Sequence, residues 1–342
     1  MSPATPGAVG AAASAAAVLP ASTATLPGST APASPPPTVA LAAREIGGAP
    51  VADALPEGIV AVFAVLTYLG DPFVLMGALG LLYVAADLTG LDRSRVACVV
   101  AVGLGALALT LALKAGFALP RPPGAAEDGF GSPSGHALGS TAVYGAVAAI
   151  LPWGRLRARV AVAGVVVALV SFSRLALGVH YLADVLAGVA VGGAVLLLAL
   201  RLGPGVDPAA VDDADAGRLF DLALGLALAG AATGLAGVGA GFTGDGAFAL
   251  GGVAGAWIVW RLASGRLADA AVGRGGAAVG AAALVPILGG LYALESLSLA
   301  RPAVVVGAGA LMGALLALPG VAASVGRRLS RSRARNPAER GD

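Results

Sequence analysis

Long apolar stretches are the feature that most restricts how this chain of 342 residues can fold. Between about residue 72 and residue 325 they recur at lengths of roughly 17–25 residues, each long enough to cross a hydrocarbon core of about 30 Å. The chain is 58% hydrophobic and only 12% charged, with a mean hydropathy of +0.88. This composition excludes a soluble α/β enzyme and predicts an integral membrane protein.

The apolar pattern predicts an all-α fold, a polytopic transmembrane helical bundle of about nine spans. Small residues dominate the predicted spans, and the 52 glycines of the chain allow helix backbones to approach one another closely in lipid. The predicted spans cover residues 72–89, 95–113, 137–152, 158–177, 181–201, 218–238, 246–262, 275–294 and 302–320.

The segments around these spans divide the chain further. No charged side chain precedes Arg44, and the Ala, Ser and Pro content before it predicts disorder. The predicted organisation is a disordered tail at 1–44, an interfacial or partly inserted helix at 45–70, a helical core at 71–202, an acidic loop at 203–217, additional transmembrane helices at 218–325 and a basic cytoplasmic tail at 326–342.

Loop arginines predict the orientation of the bundle. Odd-numbered spans end beside arginines such as Arg93, Arg155 and Arg201, whereas the loop 239–245 contains no basic residue. Because positive charge accumulates on the cytoplasmic side, we expect an N-terminus outside the cell membrane and a cytoplasmic C-terminus. The basic tail is expected to meet lipid headgroups, and without interleaved aromatic residues it does not indicate nucleic-acid binding. A single cysteine, Cys98, excludes a disulfide framework.

Three short segments interrupt this charge pattern on the predicted outer side. Residues 114–122 contain the only lysine of the chain, residues 131–136 contain one of its two histidines, and residues 173–184 contain the other. They lie at the ends of spans two to five, where the alternating topology brings them to one membrane level. Such a concentration of scarce polar residues calls for a functional reason.

The cations of these segments suit a phosphate dianion. The guanidinium forks of Arg121 and Arg174 and the ammonium of Lys114 can donate charge-assisted hydrogen bonds to its oxygens. Ser134 and Gly135 follow a proline and open a helix, so that their backbone N–H groups and the helix dipole add anion binding. The pattern therefore predicts a phosphate site at the outer face.

Two histidines in such a site suit in-line displacement at phosphorus. One can act as a nucleophile and one as an acid for the leaving oxygen. Asp184 follows His180 by four residues, so on one helix the two share a face, and the carboxylate can hold the imidazole in a single tautomer.

Together the three segments resemble the type 2 phosphatidic acid phosphatase superfamily, which includes glucose-6-phosphatases and vanadium haloperoxidases. The match to its Lys-x6-Arg-Pro, Pro-Ser-Gly-His and Ser-Arg-x5-His-x3-Asp pattern covers about residues 72–200. The resemblance implies that the helical core at 71–202 is a catalytic phosphatase core of five to six helices, with a chemistry that needs no metal ion and no cofactor. It implies that His180 is the nucleophile that forms a phosphohistidine, Asp184 its partner and His136 the general acid, and that Lys114, Arg121, Ser134, Gly135 and Arg174 bind phosphate.

The leading functional hypothesis is a membrane phosphatase that hydrolyses phosphate monoesters or diphosphates of lipids. A lipid tail concentrates the substrate at the helix ends, and beyond the phosphate binders the loop 115–135 offers mainly Glu127, Asp128 and Ser132, too few for a sugar-specific cage. Alternatives are a sugar-phosphate phosphatase like the glucose-6-phosphatases, a phosphotransferase of the same superfamily, or, from another class, a non-catalytic anion-binding or transport protein. Spans six to nine carry no functional motif, and the oligomeric state is not predicted.

Overall fold

The computed structural model describes residues 49–335, with side chains for residues 51–328. The predicted disordered tail at 1–44 lies outside the described residues, as do the start of the 45–70 segment and the end of the predicted basic tail. Within the described part the chain forms α-helices, one 3₁₀ helix and loops, with no β-strand, which confirms the all-α prediction.

The described helices follow one another along the chain with short connections, apart from the longer loop 118–134. They are α1 (Ala49–Ala54), α2 (Glu57–Leu66), a 3₁₀ helix (Thr67–Gly70), α3 (Pro72–Val84), α4 (Ala86–Thr89), α5 (Arg93–Phe117), α6 (Gly135–Ile150), α7 (Leu156–Ala176), α8 (Leu182–Leu202), α9 (Asp213–Leu235), α10 (Gly244–Ala268), α11 (Arg274–Ser296) and α12 (Arg301–Arg335).

Seven of the described helices are long and apolar enough to cross a bilayer, namely α5 and α7 to α12. The segments Glu57–Gly70 and Pro72–Val84 pass the same test together, but they are bent by 50° at the break between them, which brings the number of spans to at most eight. The protein is thus a polytopic helical membrane protein, as predicted.

Two of the nine predicted spans differ from long transmembrane helices. The third corresponds to α6, whose 16 residues extend only about 24 Å. This helix packs against α5, α7 and α8 inside the bundle, so protein rather than lipid surrounds much of it.

The first predicted span, 72–89, contains the 13-residue α3, which Asp71 caps by accepting hydrogen bonds from the N–H groups of Phe73 and Val74. Helical geometry is lost at Ala85, and Gly90 in the left-handed region ends the short α4.

The segment 45–70, predicted as an interfacial helix, forms α1, α2 and the 3₁₀ helix in its described part. Its apolar side chains Ile59, Val62 and Val65 are exposed, whereas Phe63 makes an edge contact with Phe172 on α7, with ring centroids 5.0 Å apart. A helix that presents apolar side chains outward is suited to contact with lipid. Its position at the membrane interface stays a prediction.

The helices alternate in direction, which gives the bundle two ends. We call the site end the one where α5, α7, α9 and α11 finish and α6, α8, α10 and α12 begin. At the other end Arg93 and Arg95 are buried rather than solvated. Arg93 donates to the carbonyl of Ala270 at 2.6 Å and pairs with Asp87 at 2.9 Å, while Arg95 donates to the carbonyl of Ile150 at 2.9 Å. These arginines therefore hold neighbouring segments of the bundle together through hydrogen bonds, in addition to any effect on topology.

Close packing of α6 on α8 fixes the site end of the core. A Cβ atom at Gly188 would lie 2.6 Å from the carbonyl oxygen of Ser134, and one at Gly192 would lie 2.5 Å from that of Leu138. Because glycine has no Cβ, the two helix backbones come into direct contact. The N–H of Ser134 then donates to the carbonyl of Asp184 at 2.9 Å, which ties the first turns of α6 and α8 together.

The C-terminal helices pack onto this core. α9 and α10 contact α5, and α11 and α12 contact α3. In the loop between α9 and α10, the N–H of Ala240 donates to the carbonyl of Ala115 at 2.8 Å. The neighbouring Gly239 has φ +61° and approaches the same carbonyl so closely that a Cβ atom would collide with it. The loop between α9 and α10 therefore fixes the backbone of Ala115, the residue that follows Lys114.

Candidate active site

The three polar segments predicted from the sequence meet at the site end, around a cavity of about 490 Å³. Ser134, Arg174 and Asp184 are buried next to the lining residues. The predicted site residues that line the cavity are Lys114, Arg121, Gly135, His136 and His180.

Arg121 organises the loop that follows α5. Its Nε donates to the carbonyl of Asp128 at 3.1 Å, and its Nη1 donates to the carbonyl of Val179 at 3.1 Å. Nη1 also lies 3.2 Å from Nε2 of His180. Because a guanidinium group has no acceptor, Nε2 must be the acceptor in this contact. The neutral ring of His180 then carries its proton on Nδ1.

His180 and Asp184 do not share a helix, so that prediction is wrong. The helix α8 begins at Leu182, and His180 lies in the turn before it, because the Asp184 carboxylate caps this helix by accepting from the N–H of Tyr181 at 3.1 Å. The turn nevertheless brings Nδ1 of His180 to 3.8 Å from Oδ2 of Asp184. Both side chains are buried, so the carboxylate attracts the Nδ1 proton with little screening by solvent.

Glu127 bridges the two arginines of the site. Its Oε2 lies 3.0 Å from Nη1 of Arg121, and its Oε1 accepts from Nη2 of Arg174. The other terminal nitrogen of Arg174 donates to Oγ1 of Thr67 in the 3₁₀ helix at 2.7 Å. A carboxylate and a phosphate present similar oxygens to guanidinium groups, so the arginines are oriented to share one anion. Neither Glu127, predicted only as a polar residue of the loop, nor Thr67 belongs to a motif.

Burial and neighbouring charges determine the pKa values of the titratable side chains in the site. Burial alone would raise the pKa of Glu127, but the charge and hydrogen bond of Arg174, with the charge of Arg121, lower it to about 2. Burial, with a smaller contribution from Arg174, lowers the pKa of His136 to about 3. Burial also lowers the pKa of His180 to about 4, although Asp184 opposes the shift. Both histidines are therefore neutral near pH 7.

Two buried donors of the site have no partner of their own. Ser134 Oγ and Arg174 Nε make no hydrogen bond to any residue that the structure describes. Leaving such groups unsatisfied costs free energy, which a ligand with several acceptors would recover. A Cβ atom at Gly135 would lie 3.0 Å from Cγ2 of Thr110, so this glycine lets the start of α6 pack closely on α5, near the ammonium of Lys114.

Residues 95–206 match the family model described as the PAP2 superfamily. This part of the chain belongs to that superfamily. The PAP2 segment contains all eight predicted site residues and ends before α9, so the helices α9 to α12 lie beyond it.

Among solved structures, the chain is similar to one described as the first transmembrane PAP2 type phosphatidylglycerolphosphate phosphatase from Bacillus subtilis. The two are 26% identical, and the similarity covers 47% of this chain and 85% of that chain, with a TM-score of 0.39. No curated protein matches the chain.

Proposed function

We propose that this protein is a membrane phosphatase that cleaves phosphate monoesters or diphosphates of lipids through a phosphohistidine on His180. The PAP2 segment supports phosphatase chemistry. The observation that carries the proposal is the 3.2 Å contact between Arg121 and Nε2 of His180. It places the lone pair of a buried, neutral imidazole beside a guanidinium group that is oriented to bind an anion.

In the first step, the phosphate takes the place of the Glu127 carboxylate between Arg121 and Arg174. Nε2 of His180 forms a bond to phosphorus while the bond between phosphorus and the ester oxygen breaks. His136 donates a proton to that leaving oxygen, so the alcohol departs neutral. The proton is available because the charge of the bound phosphate raises the pKa of His136 from its low resting value.

In the second step, water attacks the phosphohistidine and transfers a proton to His136. The bond between nitrogen and phosphorus breaks, and inorganic phosphate leaves with both histidines restored. While Nε2 is bonded to phosphorus, the imidazole is positively charged, and the carboxylate of Asp184 stabilises it through the Nδ1 proton. Ser134 and Gly135 at the start of α6, together with Lys114, bind the phosphate oxygens in both steps.

Lipids are the proposed substrate class because of where the site lies. Lys114, His136 and His180 lie at the ends of membrane helices or in the turns between them, at the level where a headgroup is expected. A lipid is already concentrated at that level by its tail, whereas a soluble ester must diffuse in and bind by polar contacts alone. The loop arginines favour the outer face of the cell membrane.

A burst experiment with p-nitrophenyl phosphate tests the nucleophile, because p-nitrophenolate leaves without a proton. His136→Asn should release close to one equivalent of p-nitrophenolate and then stall as the phosphoenzyme, since water is no longer activated. His180→Asn should give no burst and no acid-labile protein phosphate. Turnover like that of the wild type in His180→Asn would refute the proposed nucleophile.

Substrate class and cofactor use need their own measurements. With the purified protein in detergent, kcat/KM for a prenyl or diacylglycerol phosphate should exceed that for glucose 6-phosphate. EDTA should leave the activity intact and vanadate should inhibit it. Activity lost in EDTA and restored by magnesium would contradict the metal-free chemistry, and transfer of phosphate to an added alcohol in preference to water would indicate a phosphotransferase.

A further inference from the structure

The cavity at the site continues from the polar residues into the helical bundle. One face of α5 lines it from Lys114 through Leu111 and Leu107 to Gly103. The eleven helical steps from Lys114 to Gly103 correspond to a depth of about 16 Å. The cavity therefore reaches from the phosphate-binding residues well into the apolar layer.

Polarity changes along this cavity. The charged residues that line it lie in loops or in the first or last turn of a helix at the site end, as Asp71, Asp245 and Glu295 do. Deeper in the bundle the lining is apolar, and Met76 and Leu291 there are almost fully buried. Such a cavity has one end suited to an anion and one end suited to hydrocarbon.

Most of the deep apolar wall comes from helices outside the PAP2 segment. Met76 belongs to α3, Leu288 and Leu291 to α11, and Met312 to α12. The PAP2 segment supplies Gly103 and Leu107 on α5 and Val143 on α6. Without the C-terminal helices, this segment would leave one side of the cavity open, which gives a role to helices that carry no motif.

The size of the cavity limits what fits inside it. A volume of 490 Å³ holds about sixteen groups of the size of water, each about 30 Å³ in the liquid. That is enough for a phosphate and one apolar chain of moderate length. Water binds weakly in the apolar part of the cavity, since apolar walls offer it no hydrogen bonds.

We infer that α3, α11 and α12 form a binding site for one apolar chain of the substrate, an alkyl or isoprenoid chain, while its phosphate lies at His180. This inference rests on the proposed function, because it assumes that the polar end of the cavity binds the phosphate. The C-terminal helices then determine which tails are accepted. A second chain of the same lipid would have to remain outside the bundle.

Binding of alkylphosphonates tests the inference without turnover, because their carbon–phosphorus bond is not hydrolysed. The full chain in lipid nanodiscs would be titrated with ethylphosphonate and octylphosphonate, with empty nanodiscs as the blank. Each methylene group that moves from water into the cavity should tighten binding by up to about fourfold. We expect octylphosphonate to bind the wild type at least 100-fold more tightly than ethylphosphonate.

Filling the deep end should remove this preference. In Leu288→Trp the ratio of the two affinities should fall at least tenfold, while the affinity for ethylphosphonate stays within twofold. Val285→Trp is the matched control, because Val285 lies on the same helix, is 71% exposed and does not line the cavity. Met312→Phe offers a second way to fill the cavity if Leu288→Trp does not fold.

An unchanged ratio in both cavity-filling variants, or an equal loss in Val285→Trp, would overturn the inference. Failure of the proposed function has a different signature. In that case the wild type would release no phosphate from any ester, yet the alkylphosphonate affinities would still show whether the chain enters the cavity.

Discussion

Nη1 of Arg121 lies 3.2 Å from Nε2 of His180, so the ring nitrogen that faces the cations of the site is the unprotonated one. Nδ1, on the other side of the ring, lies 3.8 Å from the Asp184 carboxylate. One arginine and one aspartate thus select the same tautomer from opposite sides. The chain contains only two histidines, which makes this arrangement directly measurable.

Nitrogen-15 NMR of histidine-labelled protein without a histidine tag should show His180 as the Nδ1–H tautomer at neutral pH. Burial and positively charged neighbours disfavour protonation of both imidazole rings. His136 should therefore titrate with a pKa of about 3 and His180 with a pKa of about 4. Added phosphate introduces negative charge and should raise the pKa of His136. His136→Asn assigns the signals, and a midpoint near 6.5 in the free protein would contradict the expected burial.

Glu127→Gln should strengthen inhibition by inorganic phosphate about tenfold, because an uncharged amide competes less well for Arg121 and Arg174. The inhibition constant at pH 7 is the measurement. Asp128→Asn is the matched control, since only the backbone carbonyl of Asp128 contacts Arg121. Weaker inhibition in Glu127→Gln would mean that the carboxylate orients the arginines rather than competing with phosphate.

Gly188→Ala should push α8 away from α6 and misalign His180 with the start of α6. A Cβ atom there would lie 2.6 Å from the carbonyl of Ser134, and such overpacking costs about 1–3 kcal/mol. We expect kcat/KM to fall at least tenfold, with a lower thermal midpoint in detergent. Gly193→Ala is the control, because nothing lies within 4 Å of its added Cβ and alanine favours a helix. Equal activity in both variants would show that the contact is unimportant for catalysis.

The orientation of the bundle can be tested with single cysteines in a Cys98→Ala background. Ala126 lies in the exposed loop at the site end, and Ala210 lies in the exposed loop between α8 and α9 at the opposite end. In intact cells an impermeant thiol reagent should label Ala126→Cys but not Ala210→Cys, because the loop arginines predict that the site faces outward. The reverse labelling pattern would place the site in the cytoplasm.

Much of the fold could be predicted from the sequence because few backbone structures are stable in a bilayer. Long apolar stretches must form helices that satisfy their own backbone hydrogen bonds, and seven of the nine predicted spans correspond to described helices long enough to cross a bilayer. The lengths of the individual helices were less predictable. Hydropathy does not distinguish a helix in lipid from one surrounded by protein, which is why α6 was predicted as a full span although it has only 16 residues.

The site residues could be grouped from the sequence because their motifs are local and alternating helices bring them to one level. Contacts made by residues outside a motif could not be predicted. Glu127 reaches the arginines only through the path of its loop, and Thr67 reaches Arg174 from a segment 107 residues away. The helical register assumed for His180 was wrong because a capping interaction at Asp184 delays the start of α8.

The contact between Ala240 and Ala115, with the packing of α11 and α12 on α3, has a consequence for synthesis of the chain on the ribosome. The residues proposed for the chemistry have all left the ribosome long before the helices that complete the cavity. A nascent chain that stops after α8 thus exposes its charged site to lipid from the side. The last two helices to enter the membrane, α11 and α12, complete the wall of the cavity, so the site is complete only when translation of the chain is nearly finished.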